Sequence, residues 1–306
     1  MTHIHEIDLL HQGVQGAIST WLVQSDTGNV LIESGPASTL DALRRGLQRH
    51  GTDLESLDAL LLTHIHLDHA GAAWAMAQHN VPVYVHTKGA SHLLDPDKLN
   101  RSSRRIFGER FEDLWGALRA CPDGSVHGVG DDHVVSAGGL RFRAVETRGH
   151  ADHHHAWHLL DVDDGAHCFV GDAAAMRLPG TSWITIPMPP PEFDLDAWLA
   201  SIDLLEQGPW GALHLTHCGI VHDISAHLGQ LRDALKAQVA WICRAQDLSP
   251  SDRPAAYKAS LKQSAAVFDV PESLFEAHVS QGLLDMNLSG VDRAFPEGLS
   301  TLGNTP

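Results

Sequence analysis

One stretch limits what this chain can become more than any other. The apolar run Leu57 to Leu62 reads as a buried strand. It feeds straight into Thr63-His64-Ile65-His66-Leu67-Asp68-His69-Ala70-Gly71, and a helix is expected from about Gly71 to His79. Alternate residues of an extended segment point the same way. His64, His66 and Asp68 are therefore expected to enter one cavity together, with His69 turned toward a second point. Four such side chains in six residues exceed what one tetrahedral ion takes from a single loop, and suit two neighbouring ions. Buried and unpaired they would be costly, so a metal or open water should lie beside them. The competing reading is a polar surface loop of solvated histidines; the buried strand before the quartet and the helix after it count against that.

Around this stretch, strands and helices alternate. Ile18 to Gln24 and Asn29 to Glu33 read as paired strands around an Asp26-Thr27-Gly28 turn. Ser38 to His50 reads as a helix with Leu40, Leu43 and Leu47 on one face, capped by Ser38 or Thr39. Val81 to His86 is a further short strand, and Asp95 to Leu118 gives one or two helices lying over the body. Strands resume at Val134 to Ser136, Leu140 to Glu146, Ala156 to Val162 and His167 to Gly171. Trp183 to Ile186 runs into the proline-rich loop Pro187 to Pro191; a helix follows at Asp194 to Gln207 and a last strand at Ala212 to Thr216. Beyond Asp223 the pattern is helical, with breaks near Pro250, Pro254 and Pro271. Such alternation predicts a layered α/β architecture. With 306 residues, it suggests one large domain over 1–222 and a helical C-terminal extension over 223–306 packed on it.

Thr63-His64-Ile65-His66-Leu67-Asp68-His69-Ala70-Gly71 resembles the signature of the metallo-β-lactamase-fold superfamily. In that family a later Gly-His, an Asp after a strand and a final His after another strand complete the pattern. Here they stand in order as Gly149-His150, Gly171-Asp172 and Thr216-His217. The resemblance covers roughly Ile18 to His222 and extends to the glyoxalase II and lactonase-like branch. It implies an αββα sandwich with all ligands on loops at one edge. It implies His64, His66 and His150 on one metal, Asp68, His69 and His217 on a second, and Asp172 bridging both. It further implies a hydrolase in which two divalent ions ionise a shared water near pH ~7. Asp68 would then serve as ligand and as proton carrier. Zinc is the first expectation from the His-rich set, while the carboxylates also suit iron or manganese. Glu33 stands where an Asp is common in the family, at a place no nearer the metal than the second layer. His153, His154 and His155 are read as packing or supporting groups rather than ligands.

The implied substrate is a small carboxylic ester, lactone or thioester, with a phosphodiester or phosphotriester as the alternative and a catalytically silent binding protein behind both. Asp172 stands where the commonest zinc β-lactamases have Cys, which counts against antibiotic hydrolysis. The diiron redox relatives usually carry Glu in the first triplet, which counts against an oxidoreductase. Lactonases commonly have a Tyr soon after the bridging Asp, whereas this chain has Ala173-Ala174-Ala175-Met176. The net charge of −17 argues against nucleic acid and anionic membrane as partners. No apolar run is long enough to cross a bilayer. Four scattered cysteines without a C-x-x-C pair, and a first ten residues without a secretory pattern, make the cytoplasm the expected location. Arg101, Arg104, Arg105 and Arg110 read either as a lid recognising an anionic group or as a solvated helix face paired with Glu109, Glu112 and Asp113. The loop Pro187 to Phe193 reads as a pocket wall carrying Met188 and Phe193 or as a plain strand end. The helical tail could cap the site or form a homodimer surface, with packing on its own domain preferred.

Overall fold

A computed structural model describes residues 1–160, 162 and 165–298. Its first sheet carries six strands whose spatial order equals their chain order: β1 (His3–Asp8), β2 (Ser19–Gln24), β3 (Asn29–Ile32), β4 (Ala59–Leu61), β5 (Val83–His86) and β6 (Val126–Val129). The first three are antiparallel and the last three join in parallel. The second sheet uses β7 (Val134–Ala137), β8 (Leu140–Glu146), β9 (His155–Leu160) and β10 (Ala166–Gly171). A separate two-stranded ribbon pairs β11 (Met176–Arg177) with β12 (Ile184–Thr185). The second sheet is completed by β13 (Trp210–Leu215), parallel to β10, and by β14 (Ile220–Val221).

Period-two alternation builds the layers. On the first sheet Leu22, Leu31 and Leu60 turn to the helices, where they meet Leu43, Leu47 and Met76. Their neighbours Trp21, Val23, Val30, Ile32 and Leu61 turn the other way and pack on Phe142, Trp157, Leu159 and Phe169 of the second sheet. The outer face of the second sheet, with Cys168, Val170, Leu213 and Leu215, is covered by Trp198, Ile202 and Leu205 of the helix Leu195–Gln207. The result is helix, sheet, sheet, helix: the expected αββα sandwich.

The described part of the tail closes onto that last layer. Its helices are Ile224–Arg244, Arg253–Ala266, Glu272–His278 and Gln281–Ala294. Leu231, Leu235, Tyr257, Leu261, Phe275 and Leu284 are buried in the same core as the second sheet. Pro254 opens a helix at its first turn rather than breaking one, where its missing N–H costs nothing.

Two local readings differ from the sequence expectation. The helix after the His-rich stretch starts earlier, as Leu67–Ala70 and Ala73–Ala77. Asp68 and His69 therefore sit on a first helical turn, not on extended chain. Neither Ser38 nor Thr39 caps the helix Leu40–Arg49 through its side chain; Ser38 Oγ instead donates to Leu114 O at 2.7 Å, tying in the 97–114 segment. That segment is two helices, Asp97–Phe107 and Phe111–Leu114. Arg104 joins them through an ion pair with Glu112 at 2.5 Å and by stacking over Phe111 at 4.2 Å. Among the described residues no helix is long and apolar enough to cross a membrane.

Candidate metal centre

The site lies where β4, β8, β10 and β13 end. His64 and His66 follow β4, His150 follows β8, Asp172 follows β10 and His217 follows β13. Gly149 turns the chain into His150 at φ +126°, and a Cβ there would lie 2.3 Å from Trp198. Only glycine lets the helix Leu195–Gln207 press this close.

The structure brings together all seven residues singled out by motif. His64, His66 and His150 form one group and Asp68, His69 and His217 another, the ligand atoms of each group lying within 4.8 Å of one another. Asp172 reaches both: its Oδ2 is 3.2 Å from His150 Nε2, and its Oδ1 is 3.4 Å from both His69 Nε2 and His217 Nε2. His66 and Asp68 are half-buried and the other five are buried. The site is therefore open to solvent on the side of His66 and Asp68.

Hydrogen bonding at the back of each ring decides which nitrogen faces the centre. His150 Nδ1 contacts Pro187 O at 3.0 Å and His217 Nδ1 contacts Ala17 O at 2.6 Å. A carbonyl only accepts, so both Nδ1 atoms carry the proton. His69 Nδ1 lies 3.0 Å from Glu33 Oε1 and donates to it. Thr63 Oγ1 gives its own hydrogen to Glu33, so His64 Nδ1 donates to Thr63 Oγ1 at 3.1 Å. Every Nε2 of these four rings then faces inward, and those of His64 and His150 offer a lone pair there.

Those lone pairs are left in conflict. His64 Nε2 and His150 Nε2 each sit 2.9 Å from His66 Nδ1, which has at most one proton for the two of them. His69 Nε2 and Asp172 Oδ1 are buried without a hydrogen-bond partner. Buried polar atoms are almost always satisfied, and a cation bound here would satisfy this set. The donor set of imidazoles and carboxylates therefore fits a pair of divalent ions.

Charge separates the two groups. Burial, then the neighbouring rings, push His64 and His66 well below the usual imidazole range. Burial likewise lowers His150, against the opposing charge of Asp172. In the other group burial would lower His217, but the charge of Asp172 3.4 Å away, aided by Asp68, raises it to about 10. His69 is raised well above the usual range against its burial by Asp172, Asp68 and Glu33. Burial would raise Asp68, but His69 and His217 hold it well below the usual carboxylate range.

Supporting residues complete the picture. Glu33, at φ 64° and 1% exposed, receives Thr63 N, Thr63 Oγ1, His69 and Thr216 Oγ1. His154 Nε2 accepts from Asp172 N at 3.2 Å, so it orients the Asp172 backbone. His153 lies against Glu192 at 3.3 Å. Met188 and Phe193 are buried in the core, and what the loop offers His150 is the Pro187 carbonyl. Trp183 and Trp198 are core residues too. The thiol of Cys218 is pushed up to about 12 by burial and by Glu6 and Asp8. All four cysteines are free. Sequence reasoning missed Pro187 and Ala17, which act through backbone oxygens and carry no side-chain signal.

The layered αββα body and the ligand-lined edge of its two sheets define a recognised class of metal-binding proteins. Residues 13–232 match the family model described as the metallo-beta-lactamase superfamily, and the chain belongs to that superfamily. It is 28% identical over 192 residues to the metallo-beta-lactamase fold-containing protein ST1585 of Sulfurisphaera tokodaii, covering 61% of this chain and 70% of that one. The crystal structure of ST1585 superposes with a TM-score of 0.61 at 19% identity, over 94% of this chain and 97% of that chain. The metallo-beta-lactamase family protein TTHA1429 from Thermus thermophilus superposes with a TM-score of 0.67 at 18% identity, over 97% of this chain and 93% of that chain. Both likenesses extend across the helical tail as well as the sandwich.

Proposed function

We propose that the protein is a hydrolase dependent on two divalent metal ions, zinc in the first instance, acting on a small carboxylic ester, lactone or thioester. The observation that carries this reading is the pair of adjacent ligand groups with Asp172 between them, where His64 and His150 compete for one proton and His69 Nε2 and Asp172 Oδ1 have no hydrogen-bond partner.

His64, His66 and His150 would hold one ion; Asp68, His69 and His217 the other; Asp172 would touch both. Bound there, the ions supply an ionised water at neutral pH and polarise the electrophile. The protein's own groups do the rest. Glu33, Thr63, Pro187 and Ala17 fix each ring with its Nε2 inward. Asp68 directs Oδ2 at His217 and His69; its other oxygen takes the proton of the attacking water and passes it to the leaving group. Being half-buried, Asp68 is the acidic member of the set that a substrate meets first. The net charge of −17 supports a small substrate over a polyanion.

The test is metal analysis of the purified protein, followed by a panel of lactones, thioesters, aryl esters and aryl phosphates with and without chelator. Two ions per chain and chelator-sensitive turnover of a carboxylic substrate are expected. Turnover confined to the phosphates would move the substrate class, and full activity in metal-free protein would sink the reading altogether.

A further inference from the structure

Asn287 is a polar residue with no exposure at all, in the middle of the helix Gln281–Ala294 of the tail. Asparagine is a poor helix former, and a buried amide is costly unless its hydrogen bonds are made. Here they are made, and to one short piece of chain. Oδ1 accepts from Met188 N at 2.8 Å and Nδ2 donates to Ile186 O at 2.7 Å. The second Nδ2 hydrogen goes to the Tyr257 hydroxyl at 3.1 Å, which itself donates to Gln238 Oε1 at 2.7 Å. Gly290, one turn on, presses against the same loop: a Cβ there would lie 1.9 Å from Met188 O.

The residue between the two clamped positions is Pro187. Its carbonyl is the acceptor that keeps the proton of His150 on Nδ1 and Nε2 turned to Asp172. We infer that Asn287 is a positioning residue for His150: the tail aims one ligand of the three-histidine group by gripping the loop on both sides of Pro187. This rests on the reading of His150 as a metal ligand.

Two measurements on the full-length protein test it. The first is the nitrogen-15 spectrum of the His150 ring in metal-free protein. The wild type should show the proton on Nδ1, and Asn287→Leu, which keeps the shape but loses both loop bonds, should show a mixture of tautomers. The second is zinc affinity by competition with a chelating indicator. Partners behind a ligand change affinity by roughly 10–100-fold; one bond further back, about tenfold is expected, and only at the group holding His150. Tyr257→Phe is the control, because it removes a neighbour of the amide but neither loop bond. It should lower Tm while leaving ring and affinity alone. If Asn287→Leu does not fold, Asn287→Asp replaces it: that variant keeps the acceptor for Met188 N but repels Ile186 O, and the same two changes are required of it. A folded variant with an unchanged ring, or Tyr257→Phe weakening zinc as much as the Asn287 variant, overturns the inference. Wild-type protein that takes no zinc overturns the metal reading instead, and the ring measurement still decides the role of Asn287.

Discussion

The two halves of the centre answer the same problem in opposite ways. His64, His66 and His150 crowd three neutral rings together, and burial keeps protons off them. Asp68, His69 and His217 mix two imidazoles with carboxylate charge, and the acids hold protons on the rings. One half is thus a ready-made lone-pair cradle; the other is a set of ion pairs that a metal must displace. The difference teaches that adjacent sites built from similar residues can differ in affinity and in proton dependence. What sets each apart is the company of its rings rather than the number of ligands.

Asp172 offers the strongest way to break this contrast, because its carboxylate contacts rings of both halves. Asp172→Asn keeps the shape and removes the shared charge. Lost stabilisation of several kcal/mol, at ~1.4 kcal/mol per tenfold, predicts a fall in kcat/KM of about a thousandfold. The carboxylate half should also lose its ion. Retention of both ions, with kcat/KM within tenfold of wild type, would mean that the halves act without a common bridge.

A graded effect sharpens the contrast through pH. Loading the carboxylate half releases the proton of His217, whose pKa is raised to about 10, and that of His69, also raised. Zinc affinity there should therefore increase with pH between about 7 and 10, by about tenfold per pH unit for each proton released. The three-histidine half has lowered pKa values and no proton to give up at neutral pH, so its affinity should stay flat over that range. Competition titrations at several pH values read both slopes. Equal slopes would contradict the charge assignment.

How much of this could be seen in the sequence depended on how locally each feature is encoded. The central strands announce themselves because both faces are buried, as with Ala59–Leu61 between its two layers. The edge strands β1 and β6 escaped notice: His3–Asp8 fully buries only Ile7, and Val126–Val129 fully buries only Val129. An edge exposed to water needs little apolar sequence. The seven candidate ligands were legible because the chemistry demands particular side chains in order. The structure draws them into the two groups that the resemblance implied and also sets Glu33, His64 and His69 together, while the local geometry at Asp68 is helical where extended chain was expected. The supports were legible only in part. Glu33 sits at a recognisable place after its strand, whereas Pro187, Ala17 and Asn287 act through contacts between segments far apart in the chain.

Glu33 gives the smallest and most discriminating prediction, because it touches both halves unequally. Its Oε1 accepts directly from His69 Nδ1, and it reaches His64 only through the Thr63 hydroxyl. A carboxylate behind a ligating histidine raises that ring's basicity as well as fixing its tautomer. Glu33→Gln keeps an oxygen for His69 but removes the charge, so the tautomer survives and the basicity falls. Zinc affinity of the carboxylate half should weaken by roughly tenfold, the low end for such partners. The three-histidine half should shift by less, since a hydroxyl relays the change. The residue also holds φ 64°, a backbone region that costs a non-glycine residue ~1–3 kcal/mol. Tm must therefore be measured alongside affinity to separate loosening of the turn from loss of charge. An affinity loss of the same size in both halves would show that Glu33 supports the loop as a whole, and that the two halves share their back wall as fully as they share Asp172.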